Sequence, residues 1–359
     1  MSSKAEYLNR PPQALTFPSP PAVVTSNFPL FKLPDKARRH VIKSMNCDEI
    51  LFLSLLSEKL KETVTSLNLK SRLVSITITQ EIQICILVKH FLADLQFSSS
   101  RSLSSMDEMW LVFGKKWRRT NYWISKGLSI KTWFEHIKEI FHFSKIDLWF
   151  GEDSITHDMN EIRDTFNSCH EIRISNNSGS EAHVMSILKT FPTAKLMLYG
   201  DLFENGEPPS EVFIQNYDEL TIEPRLASAS TITLEDLLIM NSRNIEVSEL
   251  SIHEKDVNRF IKHWMKGSNP RMERICINFQ DYRTIDIDLV LRNLNYEEGP
   301  ADRKRYFKDN SNSYYPVETI CGGIDIWRRD GTLATITIRE NSAKLNMFVW
   351  HPHCVTDRR

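Results

Sequence analysis

The clearest group of potential metal ligands in the sequence is His351-Pro-His-Cys354. Imidazole nitrogen and thiolate sulfur are donors that zinc prefers, but a structural zinc site needs four ligands in a tetrahedral arrangement. No second cluster in the sequence completes such a set, and the six cysteines never form a C-x-x-C pair. We therefore predict no metal site and no cofactor, and we expect reduced, mostly buried thiols.

Sequence motifs for catalysis are absent. The chain has no G-x-x-x-x-G-K-[ST], no G-x-G-x-x-G and no G-x-S-x-G. A nucleophilic cysteine needs an accessible, electropositive setting, and nothing in the sequence brings Cys321 together with Arg328-Arg329. Gly322-Gly323 is better explained by the backbone freedom of glycine before a strand than by a catalytic motif. The sequence thus predicts no catalytic residues and a protein that is not an enzyme.

The stretch Lys115-Lys-Trp-Arg-Arg-Thr-Asn-Tyr-Trp123 interleaves basic and aromatic residues. Single-stranded nucleic acids bind to surfaces of this composition. The alternative is a strand or turn whose cations cover a half-buried tryptophan. The formal net charge of −1, with 25% charged residues, gives no overall attraction to nucleic acid or to a membrane surface. We therefore predict neither of them as a partner.

Length and composition predict a folded chain with one small and one large unit. The chain has 359 residues, of which 41% are hydrophobic, enough to bury a large core. Residues 1–27 contain five prolines and are predicted to be a flexible tail. They lack the apolar core of a signal peptide, and no apolar run approaches the roughly 18 residues of a membrane span. We expect an intracellular protein, in the cytoplasm, the nucleus or both.

Three short helices are predicted within residues 27–67. Pro34 favours the first turn of the first helix, Asn46 has the pattern of a capping box for the second, and Ser57 can cap the third. The second helix is apolar nearly all round, yet a unit of about 40 residues lies near the limit of independent stability. One side of the unit must therefore face another body, either the rest of the chain or a separate protein.

These residues resemble an F-box, the module that docks onto the Skp-type adaptor of cullin-based ubiquitin ligases. The resemblance rests on Phe28-Pro-Leu-Phe-Lys-Leu-Pro34, Val41-Ile42 and Asp48-Glu-Ile50-Leu51. Leu33-Pro34 is the most diagnostic pair. The resemblance implies a set of apolar residues that contact the adaptor, which are Leu30, Leu33, Pro34, Val41, Ile42, Met45, Ile50, Leu51 and Leu55.

A short sequence pattern recurs in the middle of the chain. Segments with a central pair of aliphatic residues recur 24 to 30 residues apart, beginning at Ile146, Ile172, Leu196, Leu220, Leu250 and Ile275. Helix-like segments lie between most of them, and a strand-and-helix period near 25 residues falls in the leucine-rich-repeat range. We predict an α/β fold in which residues 145–279 form an irregular, leucine-rich-repeat-like curved sheet with parallel strands. Antiparallel strands flank it, in a meander over residues 73–97 and a hairpin at Asp330-Gly331.

Capping patterns predict where three of the helices begin. Thr132-x-x-Glu135 and Thr233-x-x-Asp236 have the spacing of capping boxes. A third helix is predicted over residues 256–266, with Gly267 as its carboxyl-terminal cap. Trp264 shares an apolar face of that helix with Phe260, so we predict that it lies in the core.

Residues that alternate with the buried aliphatics should line the open face of the sheet. The repeats predict two columns there, one with Asp147, Arg173 and Met197 and one with Trp149 and Tyr199. Aromatic residues carry much of the binding energy of interfaces, so we predict a substrate surface. Its predicted residues are Trp149, Arg173, Tyr199, Glu223 and His253. The alternative is that these are ordinary solvated or covered sheet residues.

Residues 256–271 and 322–337 resemble the type 2 F-box-associated region of the nematode F-box families. That resemblance implies substrate recognition and names no substrate. The predicted organisation is a tail at 1–27, an F-box at 28–68, a meander and helix at 69–144, and an F-box-associated domain at 145–359.

The resulting hypothesis is a non-catalytic substrate-recognition subunit of a Skp-cullin-F-box ubiquitin ligase. Its partners would be the Skp-type adaptor, through it the cullin and RING subunits, and an unknown protein substrate. Catalysis would come from proximity, because a held substrate meets the conjugating enzyme at a raised effective concentration. Two alternatives stay open: an F-box or repeat-scaffold protein that acts outside a ligase, and an enzyme built on the open sheet.

Overall fold

The computed structural model describes residues 30–88, 91–98, 108–115, 118–123, 129–175, 180–203, 208–224, 232–250, 252–279, 284–309, 316–338 and 343–357. The predicted tail at 1–27 lies outside these residues. The chain divides into two compact units after Met45, and each unit is described by itself. Among the described helices, none is both long and apolar enough to cross a membrane.

The described part of the first unit holds a 3₁₀ helix, Leu30–Lys32, and helix α1, Asp35–Ser44. Pro34 stands at the amino-terminal cap of α1, so the helix begins one residue after the predicted start. Asp35 follows in the first turn, where a carboxylate is favoured by the helix dipole. It accepts a hydrogen bond of 2.6 Å from Arg38 Nη2.

The second unit begins with helices α2, Cys47–Leu55, and α3, Glu58–Thr65. The predicted capping box of α2 is confirmed, because the Asn46 amide donates to Glu49 Oε2 at 2.8 Å. The Ser57 hydroxyl caps α3 by accepting from the Leu60 amide at 3.3 Å. Both caps satisfy amides that would otherwise have no partner in the first turn.

The remaining helices are α4, Ile130–Phe141; α5, Met159–Thr165; α6, Glu181–Thr190; α7, Ser210–Phe213; α8, Leu234–Ile239; α9, Glu254–Lys266; and α10, Ile287–Leu291. Two further 3₁₀ helices are Ser154–Thr156 and Pro352–Cys354.

The described strands are β1, Leu73–Ile78; β2, Ile82–Val88; β3, Phe91–Ser98; β4, Glu108–Lys115; β5, Arg118–Trp123; β6, Ile146–Phe150; β7, Cys169–Ser175; β8, Lys195–Tyr199; β9, Glu219–Glu223; β10, Asn244–Leu250; β11, Arg274–Phe279; β12, Tyr296–Glu298; β13, Lys304–Lys308; β14, Val317–Cys321; β15, Ile324–Trp327; β16, Leu333–Ile338; β17, Lys344–Val349; and β18, Val355–Thr356.

Fifteen of the described strands form one sheet, in the order β12-β15-β16-β17-β11-β10-β9-β8-β7-β6-β1-β2-β3-β4-β5. Strands β6 to β11 are parallel neighbours, and β1 adds to them in parallel beside β6. The predicted meander is confirmed, since β1, β2 and β3 pair antiparallel. A second sheet has the order β14-β13-β18. The molecule is therefore a mixed α/β protein, with helices at its start and a large, mostly sheet region after them.

Polar side chains of helices α2 and α3 contact helix α4. The Ser54 hydroxyl lies 2.9 Å from His136 Nε2, and Lys61 Nζ lies 2.8 Å from a carboxylate oxygen of Glu139. Helix α2 also packs against β3. These contacts give a physical reason why the compact units divide inside the predicted 28–68 module and not after it.

The core lies between the helices and the aliphatic residues of the parallel strands. The first members of the predicted pairs in β6, β7, β8, β9 and β11 are all fully or almost fully buried, namely Ile146, Ile172, Leu196, Leu220 and Ile275. On the helix side Trp133 and Trp264 are among the largest buried side chains. The prediction that Trp264 is a core residue is confirmed.

One strand of the repeat was predicted at the wrong place. The aliphatic pair of β10 is Ile245 and Val247, which align with Leu220 and Ile222 of β9, and not the pair that begins at Leu250. Both pairs have the same pattern, and only alignment with neighbouring strands separates them. As a consequence His253 lies off the sheet, at the amino-terminal cap of α9.

Helix starts were predicted with mixed success. The capping box at Thr233 is confirmed, with its amide 2.8 Å from Asp236 Oδ2. The one at Thr132 is wrong, because α4 begins at Ile130 and the Ser129 hydroxyl accepts from the Thr132 amide at 3.1 Å. Helix α9 ends at the predicted cap, Gly267, whose φ of 116° suits a residue without a β-carbon.

Gly323, just before β15, is expected to tolerate no side chain. Its φ is 90°, and an added β-carbon would lie 2.5 Å from Thr335 Cγ2 and 3.0 Å from the Ile336 carbonyl oxygen. We expect Gly323→Ala to lower the free energy of unfolding by more than the roughly 1–2 kcal/mol of left-handed backbone strain alone. Urea unfolding of the full chain measures the change.

Gly331 provides the matched control, because its φ is 86° and nothing lies within 4 Å of an added β-carbon. Gly331→Ala should show the backbone strain without the collision. Equal effects of the two substitutions would contradict the role assigned to the Gly323 contact. The turn at Gly331 is the predicted hairpin, with its amide donating to the Arg328 carbonyl at 2.9 Å.

Candidate functional site

The nine predicted adaptor contacts differ in how accessible they are. In the first unit Pro34 is exposed and Ile42 is buried, while four are half-buried: Leu30, Leu33, Val41 and Met45. In the second unit Leu55 is half-buried and both Ile50 and Leu51 are buried. The three buried side chains belong to the interior of the free chain. The adaptor role of the whole set remains a prediction.

Two exposed apolar residues near these positions were not in the predicted set. Phe31 is 43% exposed in the first unit, and Leu56 is 72% exposed at the end of α2 in the second. Exposed apolar side chains of this size are typical of protein contacts when they cluster with others. The sequence could have pointed to both residues. Leu56 ends the apolar run of the second helix, and Phe31 lies within the F-box-like motif Phe28–Pro34.

The open face of the sheet carries four of the five predicted substrate residues, in a different register from the one predicted. Trp149 aligns with Arg173, and Tyr199 aligns with Glu223. The prediction placed Trp149 in one column with Tyr199, and this is wrong. Leu148 and Phe150 of β6 lie opposite Ile172 and Ile174, two residues from the predicted alignment. Both alignments put the same alternation on the same face, so the sequence pattern does not separate them.

A polar groove of about 490 Å³ crosses the open face of the parallel strands. It lies over the row in which Asp147, Glu171, Lys195 and Glu219 stand side by side on successive strands. At one end of the row the groove reaches Arg72 and Lys145, and at the other it reaches Arg274. The groove therefore presents charged side chains of both signs, where a cleft for an apolar ligand would present few.

Most of these charges are satisfied by ion pairs within the face. The Arg173 guanidinium contacts Glu171 at 2.5 Å, and Lys195 Nζ lies 3.1 Å from Glu219. Further along, Lys344 Nζ lies 3.1 Å from Glu246. Half-buried pairs of this kind fix the position of their side chains, because breaking one leaves a charge without a partner.

Asp147 has a different setting from its neighbours in the row. Its carboxylate is half-buried, and burial raises its pKa to about 6, with a further contribution from the negative charge of Glu171. Arg173, Lys195 and Lys145 act in the opposite direction without cancelling that shift. A carboxyl group in this state can bind a proton or a cation close to neutral pH.

The His351-Pro-His-Cys354 stretch gains a third neighbour in space that the sequence did not reveal. The donor atoms of Glu273, His353 and Cys354 lie within 4.8 Å of one another, and His353 Nε2 is 2.9 Å from Glu273 Oε1. Burial and the nearby Glu273 raise the pKa of the Cys354 thiol to about 12, and the three donors are one fewer than the four ligands of a structural zinc site. We interpret the group as a contact that holds the last 3₁₀ helix beside the start of β11.

Comparison with protein families gives two matches. Residues 30–72 match the F-box domain, and residues 208–277 match the family described as F-box associated. The second match runs from just before α7 into β11 and includes the predicted motif at 256–271. The motif at 322–337 lies outside it.

Two proteins of Caenorhabditis elegans are similar to this chain over most of its length. The F-box associated domain-containing protein sdz-33 is 25% identical over 326 residues, which cover 88% of this chain and 95% of that protein. The uncharacterized protein F59B2.8 is 22% identical over 354 residues, which cover 91% of this chain and 78% of that protein. No solved structure matches the chain.

The matched segments fit the elements described above. The F-box match begins at the first described residue and includes α1, α2 and α3. The F-box-associated match covers the strands β9 and β10, most of β11 and the helices between them. The chain therefore carries an F-box domain followed by an F-box-associated domain.

Proposed function

We propose that this chain is the substrate-recognition subunit of a Skp-cullin-F-box ubiquitin ligase. The observation that carries the proposal is the presence of an F-box match at 30–72 and an F-box-associated match at 208–277 in one chain. The F-box would dock a Skp-type adaptor and through it the cullin and RING subunits. The chain would supply no catalytic residue of its own and would act in the cytoplasm or the nucleus.

On the adaptor side, accessible apolar residues support the proposal. Leu56 and Phe31 are large hydrophobic side chains that water reaches in the free chain, and the core of a protein interface is built from such residues. Buried Ile50 and Leu51 would contribute to docking by fixing α2, which presents Leu56 at its end. We therefore add Leu56 and Phe31 to the proposed adaptor contacts.

On the substrate side, the open face of the sheet supports the proposal. Parallel strands connected by helices are consistent with the leucine-rich-repeat-like arrangement that we propose for residues 145–279. The face presents Trp149 and Tyr199 beside a groove lined with charges. Such a surface suits protein recognition, in which a few aromatic anchors are surrounded by polar contacts.

Leu56→Asp is expected to weaken binding of a Skp-type adaptor by tenfold or more. Docking would bury the new carboxylate without a partner, and that cost exceeds about 1.4 kcal/mol, the equivalent of tenfold in affinity. The unfolding free energy should change by no more than about 0.5 kcal/mol, because Leu56 is exposed in the free chain. Titration calorimetry with purified adaptor and urea unfolding measure the two quantities.

Ile214→Asp is the matched control. Ile214 is 53% exposed and follows the short helix α7, so the substitution adds the same charge to a surface in the F-box-associated part. It should leave adaptor affinity unchanged. If both variants bind the adaptor as tightly as the wild type, the end of α2 is not the docking surface.

Co-purification with and without cullin separates the proposed function from its main alternative. A complex that contains adaptor and cullin supports a ligase subunit. A complex that contains adaptor and never cullin favours an F-box protein that acts outside a ligase. Failure of the wild-type chain to bind any Skp-type adaptor would refute both and would leave the three helices as a cap of the sheet.

A further inference from the structure

One carboxylate in the groove, that of Asp147, lacks the basic side chain that pairs with each of the others. Within the described residues that line it, each of the other four carboxylates has a basic side chain within 4.0 Å, as the pairs Glu171–Arg173, Glu219–Lys195, Glu246–Lys344 and Asp309–Arg274 show. Asp147 takes part in none of the ion pairs or side-chain hydrogen bonds of the described chain. It lies at the β6 end of the row, beside Glu171 on the next strand.

Two of the three cations that act on Asp147 are paired with other carboxylates. Arg173 contacts Glu171 at 2.5 Å, and Lys195 contacts Glu219 at 3.1 Å. Lys145 precedes β6, is exposed to solvent, and forms no ion pair with Asp147. A half-buried carboxylate that stands next to a second carboxylate is unfavourable, and a cation brought in from outside would relieve that cost.

The space beside Asp147 suits a long basic side chain. Trp149 lies two residues further along β6, so both side chains point to the open face, and the tryptophan is 41% exposed. Its ring can cover the methylene stem of a lysine or stack on an arginine guanidinium. The groove volume of about 490 Å³ falls within the range of pockets that enclose ligand groups.

We propose that the groove binds a lysine or arginine side chain of the substrate protein, with its charged end on Asp147 and its stem against Trp149. The inference rests on the proposed function, since it names the class of segment that the substrate surface takes. Charge complementarity at the β6 end supports it, because Asp147 is the one carboxylate among the described lining residues that forms no ion pair. The recognised segment is therefore basic at one position and places that residue at the β6 end of the groove.

Selection from a library of random displayed peptides tests the inference. The full chain is immobilised through its co-purified Skp-type adaptor, and the bound peptides are sequenced. The wild type is expected to enrich peptides that share a lysine or arginine at a fixed position. Asp147→Asn is expected to lose this preference, and a peptide made from the wild-type consensus should bind it at least tenfold more weakly. Asp147→Lys is expected to enrich acidic residues instead.

Glu152→Gln is the matched control for the loss of a carboxylate. Glu152 is exposed and follows β6 closely, but it does not line the groove. This variant should select the same peptides as the wild type. If it loses the basic preference as Asp147→Asn does, the effect is a general change of surface charge and the assignment to Asp147 is wrong.

The pH dependence of peptide binding gives a second readout. The wild-type affinity for the basic peptide should fall by about tenfold between pH 7.5 and pH 5, because a carboxyl group with a pKa of about 6 is only about one-tenth ionised at pH 5. Other titratable or charged groups act on this carboxyl group from β6, β7 and β8 and from the residues before them, namely Lys145, Cys169, Glu171, Arg173 and Lys195. His170, whose pKa is lowered by burial, also lines the groove, and so does Arg72, which precedes the neighbouring strand β1.

The Asp147→Asn variant distinguishes the titration of Asp147 from that of His170. Asp147→Asn should abolish the fall in affinity if Asp147 causes it, whereas a fall that persists in this variant would assign it to His170 and contradict the inference. Enrichment of peptides without a basic residue, or of no peptide at all, would also overturn it. Each outcome is separate from the proposed function, because adaptor binding is measured on the same preparation.

Discussion

Trp264→Ala is expected to lower the free energy of unfolding by about 3–5 kcal/mol, the cost of removing a large aromatic side chain from a packed core. Trp264 is fully buried in α9, with Phe260 and Ile261 on the same buried face. The Arg328 guanidinium lies 5.5 Å from the centre of a ring of Trp264, so the substitution also removes a cation–π contact. The hairpin that carries Arg328 should be loosened together with the helix.

Urea unfolding of the full chain measures this effect. Near-ultraviolet circular dichroism is the better probe, because tryptophan fluorescence itself changes in the variant. Trp149→Ala is the matched control: this ring is 41% exposed, so its removal should cost much less than that of Trp264. Similar losses for the two variants would show that the open face of the sheet is covered and that Trp149 belongs to the core.

Asp325→Asn is expected to lower the free energy of unfolding by about 3 kcal/mol, because it leaves two guanidinium groups without their shared carboxylate. Asp325 is buried in β15, where it accepts hydrogen bonds of 2.7 Å from Arg303 Nη1, Arg305 Nη2 and Thr335 Oγ1. Arg305 belongs to β13, so this carboxylate joins the small sheet to the large one. Loss of these hydrogen bonds should let the small sheet unfold before the large one.

The pKa of Asp325 predicts how the loss of stability in Asp325→Asn depends on pH. Burial by itself would raise the pKa of Asp325, but the hydrogen bonds from the two arginines and the threonine outweigh burial and lower the pKa below its ordinary value. A carboxyl group with a lower pKa in the folded state stabilises the protein above the pKa of the unfolded chain. That contribution disappears as the pH falls through the folded-state value. The difference between wild type and variant should therefore be constant near neutral pH and shrink below about pH 4.

Asp330→Asn provides the control. Asp330 is an exposed carboxylate on the neighbouring turn, and it bonds to Arg328 Nε at 3.0 Å. Solvent screens an exposed pair, so we expect a much smaller change in stability. If the two variants unfold alike at pH 7, the Asp325 network contributes no more than a surface pair does.

The sequence predicted the elements of the fold better than their alignment. Local signals placed the capping box of α2, the cap of α3 and the glycine that ends α9, because each depends on residues a few positions apart. The strand β10 was misplaced because Ile245 with Val247 and Leu250 with Ile252 have the same pattern. Only pairing with β9 and β11 distinguishes them, and that pairing joins residues about 25 to 30 positions apart.

The candidate site was predictable in its location and not in its detail. Alternation along β6 and β7 correctly placed Trp149 and Arg173 on the open face. The solitary state of Asp147 depends instead on which carboxylates Arg173 and Lys195 contact, and a sequence cannot show how such side chains pair. The contact of Glu273 with His353 joins residues 80 positions apart, so neither residue signals the other locally.

Strand β12 stands at one edge of the large sheet, and its three residues, Tyr296, Glu297 and Glu298, are all exposed. The backbone groups of an edge strand that face away from the sheet are free to pair with another molecule, and long, flat edges lead to aggregation for that reason. This edge offers only three residues, two of them glutamates that would meet the glutamates of a second copy. Like charges so placed repel each other. The β12 edge is therefore protected against pairing with the same edge of a second copy.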